Sequence, residues 1–257
     1  MTQVTVPLTR RRFLGTARRD VWWLQPLVVF LVLGGFVVYA TWAALQNAHY
    51  RFGPYLSPFY SPEFGRPSWW PGWMPFSPAL LILPFPAFFR FTCYYYRGSY
   101  YKAFWSDPPA CSVGEPRKKY LGERSFPLIL QNVHRYFVYI ALIFLVILSY
   151  DVWKAFWWPD PATGGTRFGI GVGTLVLAAN VVCLTGYTLG CHSLRHLLGG
   201  FRDQFSKRPG FRLPYACVTC LNGVHHRWAW VSLMMVAFAD VYVRLCSMGI
   251  WHDLRLL

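Results

Sequence analysis

The stretch Pro127–Tyr150, which reads PLILQNVHRYFVYIALIFLVILSY, decides the class of protein to which this chain belongs. It is longer than the about 20 residues of helix that cross a bilayer, and its apolar residues run continuously rather than in alternation. Four further stretches are similar, and we predict five transmembrane helices: Val21–Leu45, Ser77–Tyr96, Pro127–Tyr150, Phe168–Gly190 and Trp228–Ile250. Pro84 and Pro86 should kink the second helix. The predicted fold class is all-α, an integral membrane bundle of five transmembrane helices.

The composition of the whole chain agrees with a membrane protein. Of its 257 residues, 55% are hydrophobic and only 14% are charged, whereas about 25% charged residues is usual in soluble domains. So few charges could not cover the surface of a soluble domain of this size. The composition therefore excludes a soluble enzyme, a disordered tail and a disulfide-rich secreted module. We expect a basic tail over residues 1–20 and a single membrane domain over residues 21–257.

Basic residues are distributed unequally between the loops, and this distribution predicts the orientation of the chain. The N-terminal tail and the loops after the second and fourth spans carry most of them: Arg10, Arg11, Arg12, Arg18, Arg19, Arg97, Lys102, Arg117, Lys118, Lys119, Arg124, Arg195, Arg202, Lys207, Arg208, Arg212 and Arg227. The other loops carry only Arg51, Arg66, Lys154 and Arg167. We predict a cytoplasmic N-terminus, an outer C-terminus and a multi-pass protein of the bacterial inner (cytoplasmic) membrane. The net charge of +15 is assigned to orientation and anionic lipid, because no nucleic-acid motif accompanies it.

Cysteine and histidine side chains gather at the predicted cytoplasmic face. Five of the seven histidines and five of the seven cysteines lie there: Cys93, Cys111, His134, Cys191, His192, His196, Cys217, Cys220, His225 and His226. Thiolates together with imidazoles suit zinc or an iron–sulfur cluster, while paired imidazoles on facing helices suit haem. The pattern favours a redox membrane anchor that holds metal ligands and a quinone pocket at one face.

Two pairs of residues keep two interpretations each. Cys217 and Cys220 have the spacing of a zinc knuckle, but a second such pair is missing, so they could equally be reduced cytoplasmic thiols. Asp240 and Arg244 lie four residues apart within the fifth span, where they can pair with each other. Charges inside a membrane are costly and usually functional, so both a proton path and a structural ion pair stay open.

Six segments carry motifs that are more specific than hydrophobicity. They are Phe91–Trp105 (FTCYYYRGSYYKAFW), Pro108–Pro116 (PPACSVGEP), Pro127–Tyr136 (PLILQNVHRY), Tyr187–His196 (YTLGCHSLRH), Leu221–Leu233 and Asp253–Leu256. Together they resemble the single-chain membrane anchor of an actinobacterial type of succinate dehydrogenase, as found in mycobacteria. The resemblance runs over most of the chain from about Val21 onward, and the outer loops match it poorly.

This resemblance implies a subunit of a three-part complex that is not catalytic alone. A flavoprotein subunit oxidises succinate to fumarate, and an iron–sulfur subunit passes the electrons on. The anchor docks the iron–sulfur subunit on its cytoplasmic face and reduces a quinone, for which menaquinone is expected. The resemblance also implies a Rieske-like [2Fe–2S] centre within the membrane part in place of haem b.

The resemblance supplies more candidate ligands than such a centre needs, since two cysteines and two histidines suffice. The residues that match the family's motifs are Cys93, Cys111, His134, Cys191, His192, His196 and His225. The leading set, with His196 next in order, is Cys93, Cys111, His134 and His225. The chain departs from the family motif at Leu194, where a second cysteine is expected, so another donor would be needed if that cysteine were a ligand.

A quinone site needs an apolar slot with a few polar groups for the carbonyl oxygens. Residues at the correct predicted depth are Tyr95, Arg97, Trp105 and Arg135; an interfacial belt of aromatic residues would explain most of them as well. Two alternative functions stay open. One is a haem b-containing quinone-reducing anchor that uses histidine pairs, and the other is a non-redox membrane transporter or scaffold.

Overall fold

A computed structural model describes residues 12–117, 124–126, 128–160, 163–200 and 209–257. The chain divides into two compact units. The first unit comprises Met1–Val37 and Cys93–Gln131, and the second unit comprises Val38–Thr92 and Asn132–Leu257. Part of the predicted basic tail, residues 1–11, lies outside the described residues, as do several basic residues of the two predicted cytoplasmic loops.

Most of the described residues are helical. The helices are α1 (Leu24–Gln46), α2 (Pro78–Ile82), α3 (Pro84–Phe91), α4 (Tyr94–Phe104), α5 (His134–Lys154), α6 (Val172–Leu189), α7 (His192–Gly199), α8 (Pro209–Gly223) and α9 (His225–Ser247). Two short antiparallel hairpins join β1 (Arg51–Phe52) to β2 (Tyr55–Leu56) and β3 (Trp157–Pro159) to β4 (Thr166–Phe168). Pro58–Tyr60 and Leu128–Val133 form 3₁₀ helices.

Within the described residues, four helical segments are long and apolar enough to cross a membrane. They are Leu24–Gln46, Leu128–Lys154, Val172–Leu189 and His225–Ser247. They coincide, within a few residues at each end, with the first, third, fourth and fifth predicted spans. Four of the five predicted spans are therefore confirmed as apolar helices of membrane-crossing length.

The second predicted span is kinked at Leu83, whose helical backbone joins α2 to α3, and it is broken at Cys93, whose backbone is extended. It is divided among α2, α3 and α4, and its apolar part, Pro78–Phe91, is shorter than the about 20 residues that a crossing needs. Proline lacks the N–H group of a helix interior but fits the first helical turn, so α2 ends at Ile82 and α3 begins at Pro84. A fifth crossing, and the orientation of the termini, stay predictions.

The core of the second unit forms where α6 and α9 pack together. Trp228 lies so close to Gly186 that a Cβ atom there would be 2.5 Å from the indole ring, so only glycine fits. Farther along the same helices, buried residues of α6 and α9 form a core cluster with residues of β2, β3 and the end of α5. The cluster comprises Tyr55, Ala155, Trp158, Val176, Leu177, Ala239, Tyr242, Val243 and Cys246. These contacts align the two helices along their length.

Hydrogen bonds connect the C-terminal segment after α9 to the rest of the second unit. The carboxylate of Asp253 accepts hydrogen bonds from the hydroxyls of Tyr55 and Tyr242 and from the backbone N–H of Gly173. Backbone bonds from Val172 to Leu254, and between Ile170 and the last residues, continue this contact. One carboxylate thus joins the beginning of α6, the end of α9 and the loop before α2.

Asp240 and Arg244 form an ion pair within α9, at the i, i+4 spacing that allows pairing. The Nε of Arg244 lies 3.3 Å from the Asp240 carboxylate, and both residues are buried. The hydroxyls of Tyr39 and Ser57 also donate to Asp240, and Arg244 donates to the carbonyl of Ala48 at 2.9 Å. The pair therefore joins the end of α1 and the loop that follows it to α9.

In the first unit, the end of the N-terminal tail pairs with the segment after α4. Leu14 donates to the carbonyl of Gly114 at 2.9 Å, and Gly114 donates to the carbonyl of Gly15 at 2.9 Å. Arg18 forms an ion pair with Asp20 and donates to the carbonyl of Cys111. Residues 12–20 are thus ordered by backbone bonds with the 111–114 segment.

Candidate functional site

His134 and Cys191 meet in the interior of the second unit. The Nε2 atom of His134 lies 3.1 Å from the Sγ atom of Cys191, and its Nδ1 atom lies 2.9 Å from Oγ1 of Thr92. The Thr92 hydroxyl donates in turn to the carbonyl of Phe88 at 2.7 Å. His134, Cys191 and Thr92 are all buried, so a thiol, an imidazole and a hydroxyl form one hydrogen-bonded row out of contact with solvent.

Aromatic rings cover the faces of His134 and of a second histidine, His225. Phe89 stacks on His134 with 4.7 Å between ring centroids, and Tyr187 stacks on His225 with 5.0 Å. Phe89 and Tyr187 meet edge to face at 5.4 Å. The nitrogens of an imidazole bond in the plane of its ring. Phe89 and Tyr187 cover the ring faces, so they do not occupy the bonding positions of the nitrogens of His134 and His225.

A cation lies beside these rings. The guanidinium of Arg90 is 4.6 Å from the centre of the Tyr187 ring. It donates to the carbonyl of Ala229 at 3.1 Å and to the hydroxyl of Ser232 at 2.9 Å. Arg90 thus ties α3 to the first turns of α9 and places a positive charge next to the aromatic row.

The three donor side chains lie at matching ends of their helices. His134 begins α5, His225 begins α9, and Cys191 follows the end of α6 and precedes α7. The turn before Cys191 is held by Asn222 of α8, which donates to the carbonyl of Gly190 at 2.8 Å. A Cβ atom at Gly190 would lie 2.8 Å from a backbone oxygen of α6, so this turn requires glycine.

The other candidate metal ligands of the second unit are exposed, unlike His134, Cys191 and His225. His192 and His196 of α7 are exposed, while Leu194 between them is buried. Cys217 and Cys220 of α8 are also exposed. The motif around α7 therefore directs its Cys191 thiol inward and both of its imidazoles outward.

Cys93 and Cys111 belong to the first unit. Cys93 is buried and immediately precedes α4. Cys111 is exposed. In the chain, Cys93 directly follows Thr92, the residue that bonds His134.

Trp105 lies within a group of aromatic side chains in the first unit. It packs edge to face on Tyr100 and Tyr101, with ring centroids at 5.2 and 4.6 Å. The amide of Gln131 donates to the Tyr100 hydroxyl at 2.9 Å, while its Oε1 atom is buried with no hydrogen-bond partner in the part of the chain that the structure describes. Burial raises the pKa of Tyr100 to about 12, so this phenol is neutral near pH 7. We call Tyr100, Tyr101, Trp105 and Gln131 the Trp105 group.

The remaining quinone candidates lie nearer the surface. Tyr95 and Arg97 of α4 are half-buried, and the Arg97 guanidinium lies 4.1 Å from the centre of the Tyr94 ring. Arg135 of α5, in the second unit, is exposed and lies over the ring of Tyr136 at 5.0 Å. These cation–ring pairs are also typical of an interfacial aromatic belt.

The donor side chains do not form a mononuclear metal site. Among the described residues, no three side chains of His, Cys, Asp or Glu are placed to hold one metal ion. The separation of 3.1 Å between His134 and Cys191 is that of a hydrogen bond between thiol and imidazole. The buried thiol of Cys191 and the imidazole of His134 are thus hydrogen-bonded to each other.

Comparison with known proteins assigns the chain. A family model described as actinobacterial succinate dehydrogenase subunit SdhC matches residues 24–249. The chain belongs to this SdhC family. It is also similar to a chain of a solved structure entitled "Mycobacterium smegmatis Sdh1 complex in the apo form", with 41% identity, a TM-score of 0.84 and 100% of each chain covered. A comparison with curated protein sequences gives no match.

Membership of the SdhC family confirms the coarser predictions made from the sequence. The chain is a membrane subunit of succinate dehydrogenase, it is not catalytic alone, and its partners are the other subunits of that enzyme. The interpretation as a succinate dehydrogenase anchor is therefore favoured over that of a non-redox transporter or scaffold. The cofactor, the quinone and the individual ligands are taken up below as proposals.

Several residues of this SdhC-type subunit have site roles that sequence reasoning missed. Thr92 and Phe89 contact His134, Arg90 contacts Tyr187, and Gln131 joins the Trp105 group. Thr92, Arg90 and Gln131 are polar residues in or beside apolar segments, where an unpartnered polar group is costly. This cost could have marked the three residues as candidates from the sequence. It does not reveal which neighbour satisfies each polar group.

Proposed function

We propose that this subunit carries electrons from the iron–sulfur subunit to a membrane quinone through a Rieske-like [2Fe–2S] centre. The observation that carries the proposal is the convergence of His134, Cys191 and His225 at matching ends of three membrane helices, with His134 and Cys191 in direct contact. Oxidation of succinate to fumarate releases two electrons and two protons, and reduction of the quinone to quinol takes up the same number. The subunit thus connects the two half-reactions.

The donor types of the second unit fit such a centre. One iron of a Rieske-type cluster is bound by two histidines and the other by two cysteines. His134 and His225 would supply the imidazoles and Cys191 one thiolate, while Cys93 and Cys111 stay ligands that the resemblance implies. When bound, the centre accepts and releases one electron at a time.

The protein groups around these donors have separate tasks. Phe89 and Tyr187 keep both imidazole rings in fixed planes and exclude water from their faces. The positive charge of Arg90 beside Tyr187 favours any species that carries extra negative charge. The charge of Arg90 would raise the affinity of this region for electrons, as imidazole ligands themselves do, whereas exclusion of water by itself would disfavour added negative charge.

The quinone, with menaquinone expected, is proposed to bind at the Trp105 group. Flat aromatic rings suit the apolar quinone ring, and the buried Oε1 of Gln131 is an acceptor for a hydroxyl of the quinol. The Tyr100 phenol stays protonated and can donate to a quinone carbonyl. Tyr95 and Arg97 would line the entry, while Arg135, which belongs to the second unit, stays a prediction from the sequence.

The ligand assignment is tested in the purified complex. His134→Ala and His225→Ala should abolish succinate:quinone reduction and spare succinate oxidation with an artificial acceptor at the flavoprotein. His252→Ala, which removes an exposed histidine, is the matched control and should be silent. Retained quinone reduction in both His134→Ala and His225→Ala would show that the proposed histidines are wrong.

The cysteine arm of the test uses iron content and EPR of the reduced complex. Cys191→Ser should remove the histidine-ligated signal, and so should only one of Cys93→Ser and Cys111→Ser, which identifies the fourth donor. Cys183→Ser, at a partly buried cysteine inside α6, is the control and should leave the signal unchanged. A haem α-band on reduction would show that the chain binds haem b and not the cluster. If the complex held no iron beyond that of the partner subunits, both cofactors would be excluded.

The quinone assignment is tested by steady-state kinetics. Trp105→Leu should raise the KM for quinone by at least about tenfold, equivalent to about 1.4 kcal/mol, without affecting the artificial-acceptor rate. Trp73→Leu, at a side chain that is 85% exposed, is the control. An unchanged KM in Trp105→Leu would place the quinone elsewhere.

The proposed orientation puts the donor end of α5, α6 and α9 at the cytoplasmic face of the inner membrane, where the iron–sulfur subunit docks. The basic loops on that side would contact anionic lipid. Accessibility of tags on intact spheroplasts checks this orientation: a C-terminal tag should be digested by external protease and an N-terminal tag protected. The opposite pattern would reverse the topology.

A further inference from the structure

The loop between α1 and α2 contains a repeated pattern of proline and tryptophan. Residues 67–75 read PSWWPGWMP, so a proline recurs at every fourth position and a tryptophan stands two residues after each of the first two prolines. The carbonyl of Pro67 accepts from the N–H of Trp70 at 3.1 Å, and the carbonyl of Pro71 accepts from the N–H of Met74 at 3.2 Å. The pattern therefore forms two consecutive β-turns, which we call the paired turns.

Each of the paired turns directs its third residue outward. These residues are Trp69, which is 67% exposed, and Trp73, which is 85% exposed. Trp70, by contrast, is buried and packs edge to face on Phe76 with 5.5 Å between ring centroids. Its indole N–H donates to the carbonyl of Met74 at 3.0 Å. The inward contacts of Trp70 hold the turns in shape, so the two exposed indoles are presented at fixed positions.

Contacts with α5 place both ends of this loop at one level of the second unit. Before the paired turns, the hydroxyl of Ser61 donates to Asp151 in the last turn of α5. After them, α3 runs antiparallel to α5, and Phe85 lies beside Phe144 with 6.4 Å between ring centroids. From Phe85 back to Pro78 the helical rise is about 10 Å. The same rise along α5 leads from Phe144 to Asp151, so the loop starts and finishes level with the last turn of α5.

The last turn of α5 has the residues that are typical of a membrane interface. Tyr150 and Trp153 are 60% and 58% exposed there, and Lys154 ends the helix. Aromatic side chains with a polar edge, together with a basic side chain at the end of a spanning helix, mark the level of the lipid headgroups. The paired turns therefore lie at the depth of the headgroups.

The short apolar segment that follows the loop gives a second reason for contact with the membrane surface. Pro78–Phe91 rises by about 21 Å if helical throughout, whereas the hydrocarbon core is about 30 Å thick. An apolar segment shorter than the core is accommodated by flanking side chains that anchor it at the interface. Indoles placed just before Pro78 would provide such an anchor.

We propose that the paired turns are a membrane-surface anchor, in which the indoles of Trp69 and Trp73 lie among the lipid headgroups beside α5. Arg66 is the one charged residue in positions 64–77, so no carboxylate of the loop repels the lipid phosphates. Two neighbouring indoles are unfavourable in water, while the interface accepts both their apolar rings and their N–H groups. This inference goes beyond the proposed function and depends neither on the cofactor nor on the quinone.

The experiment measures tryptophan fluorescence of the intact complex in phosphatidylcholine nanodiscs. One preparation contains lipid brominated next to the headgroup, a second contains lipid brominated near the chain ends, and a third contains unbrominated lipid to which acrylamide is added. The emission of a single indole is obtained as wild type minus variant, for Trp69→Phe and independently for Trp73→Phe. Trp158→Phe removes an indole that is buried in the core cluster and is the control.

Bromine next to the headgroup should quench most of the emission of Trp69 and of Trp73, and bromine near the chain ends should quench it less. Acrylamide, which stays in water, should quench both indoles several-fold less than it quenches free tryptophan. The emission of Trp158 should respond to none of the three quenchers.

Two outcomes would overturn the proposal. Quenching of Trp69 and Trp73 by acrylamide but by neither brominated lipid would mean that the paired turns lie in water. Emission that responds to no quencher would mean that another protein, such as a second copy of this chain, covers them. Substitution of phenylalanine at such exposed positions removes no buried contact, so the variants are expected to assemble like the wild type.

Discussion

Neutralising Asp240 should destabilise this chain strongly. Asp240 is fully buried and pairs with Arg244, whose side chain is 4% exposed. In Asp240→Asn the amide keeps the shape of the carboxylate and can still accept from Tyr39 or Ser57. What the substitution removes is the negative charge, so a guanidinium is left buried without a counter-charge.

The expected cost follows from that burial. Removing one partner of a buried ion pair typically costs 3–5 kcal/mol, because the remaining charge is uncompensated. Since about 1.4 kcal/mol corresponds to a factor of ten, the unfolded fraction should rise roughly a hundredfold or more. A surface pair gives a contrast: Arg51, at 54% exposure, pairs with Glu63, at 32%, and Arg51→Met should cost less than about 1 kcal/mol.

The assay is denaturant unfolding of the full chain in detergent, followed by tryptophan fluorescence. A double variant, Asp240→Asn with Arg244→Met, should recover part of the loss, since no buried charge remains without its partner. A cost for Asp240→Asn no larger than that for Arg51→Met would refute this expectation. It would mean that water or lipid headgroups reach the guanidinium and that the pair is not effectively buried.

Three further outcomes are expected. Gly186→Ala should cost about 1–3 kcal/mol in the same unfolding assay, because the new methyl group would lie 2.5 Å from the Trp228 ring; Gly34→Ala, which meets nothing within 4 Å, should be neutral or slightly stabilising. Burial raises the pKa of Tyr100 from 10.0 to about 12, so the folded chain holds this proton more tightly than the unfolded chain; the stability it contributes is complete below pH 10 and is lost towards pH 12. The tyrosinate absorbance of Tyr100, measured as the difference between wild type and Tyr100→Phe, should therefore appear at a pH about two units higher than that of an ordinary tyrosine. Its appearance near pH 10 would contradict the burial. Asp253→Ala should lower the thermal midpoint by leaving three hydrogen-bond donors without their acceptor, yet leave the EPR signal of the centre unchanged; a lost signal would mean that the outer end controls the donor end.

Sequence reasoning succeeded where the deciding interaction is local. Four of the predicted spans are apolar helices because the length and hydrophobicity that a bilayer demands are properties of the segment itself. The i, i+4 pair of Asp240 and Arg244 is confirmed for the same reason, since both residues lie on one helix. The motif segments were also sufficient to indicate the SdhC family.

The second span shows where local reasoning failed. The kink expected from Pro84 and Pro86 lies at Leu83, but the span is also broken at Cys93, whose extended backbone separates α3 from α4. Neither Cys93 nor its two neighbours is a proline or a glycine, so the sequence carries no signal for this break. Such a break depends on contacts with other parts of the chain, which the segment alone does not specify.

By itself, the sequence determined the membrane class, most of the spans and a pool of thiols and imidazoles near helix ends. Only the tertiary structure decided that His134 meets Cys191 and Thr92 in the interior, while His192 and His196 are exposed. Helical spacing tells which side chains share a face, but the direction of that face is set by the helices that pack against it. The donor row is therefore a property of the packed bundle, because its members come from three segments that are distant in the chain.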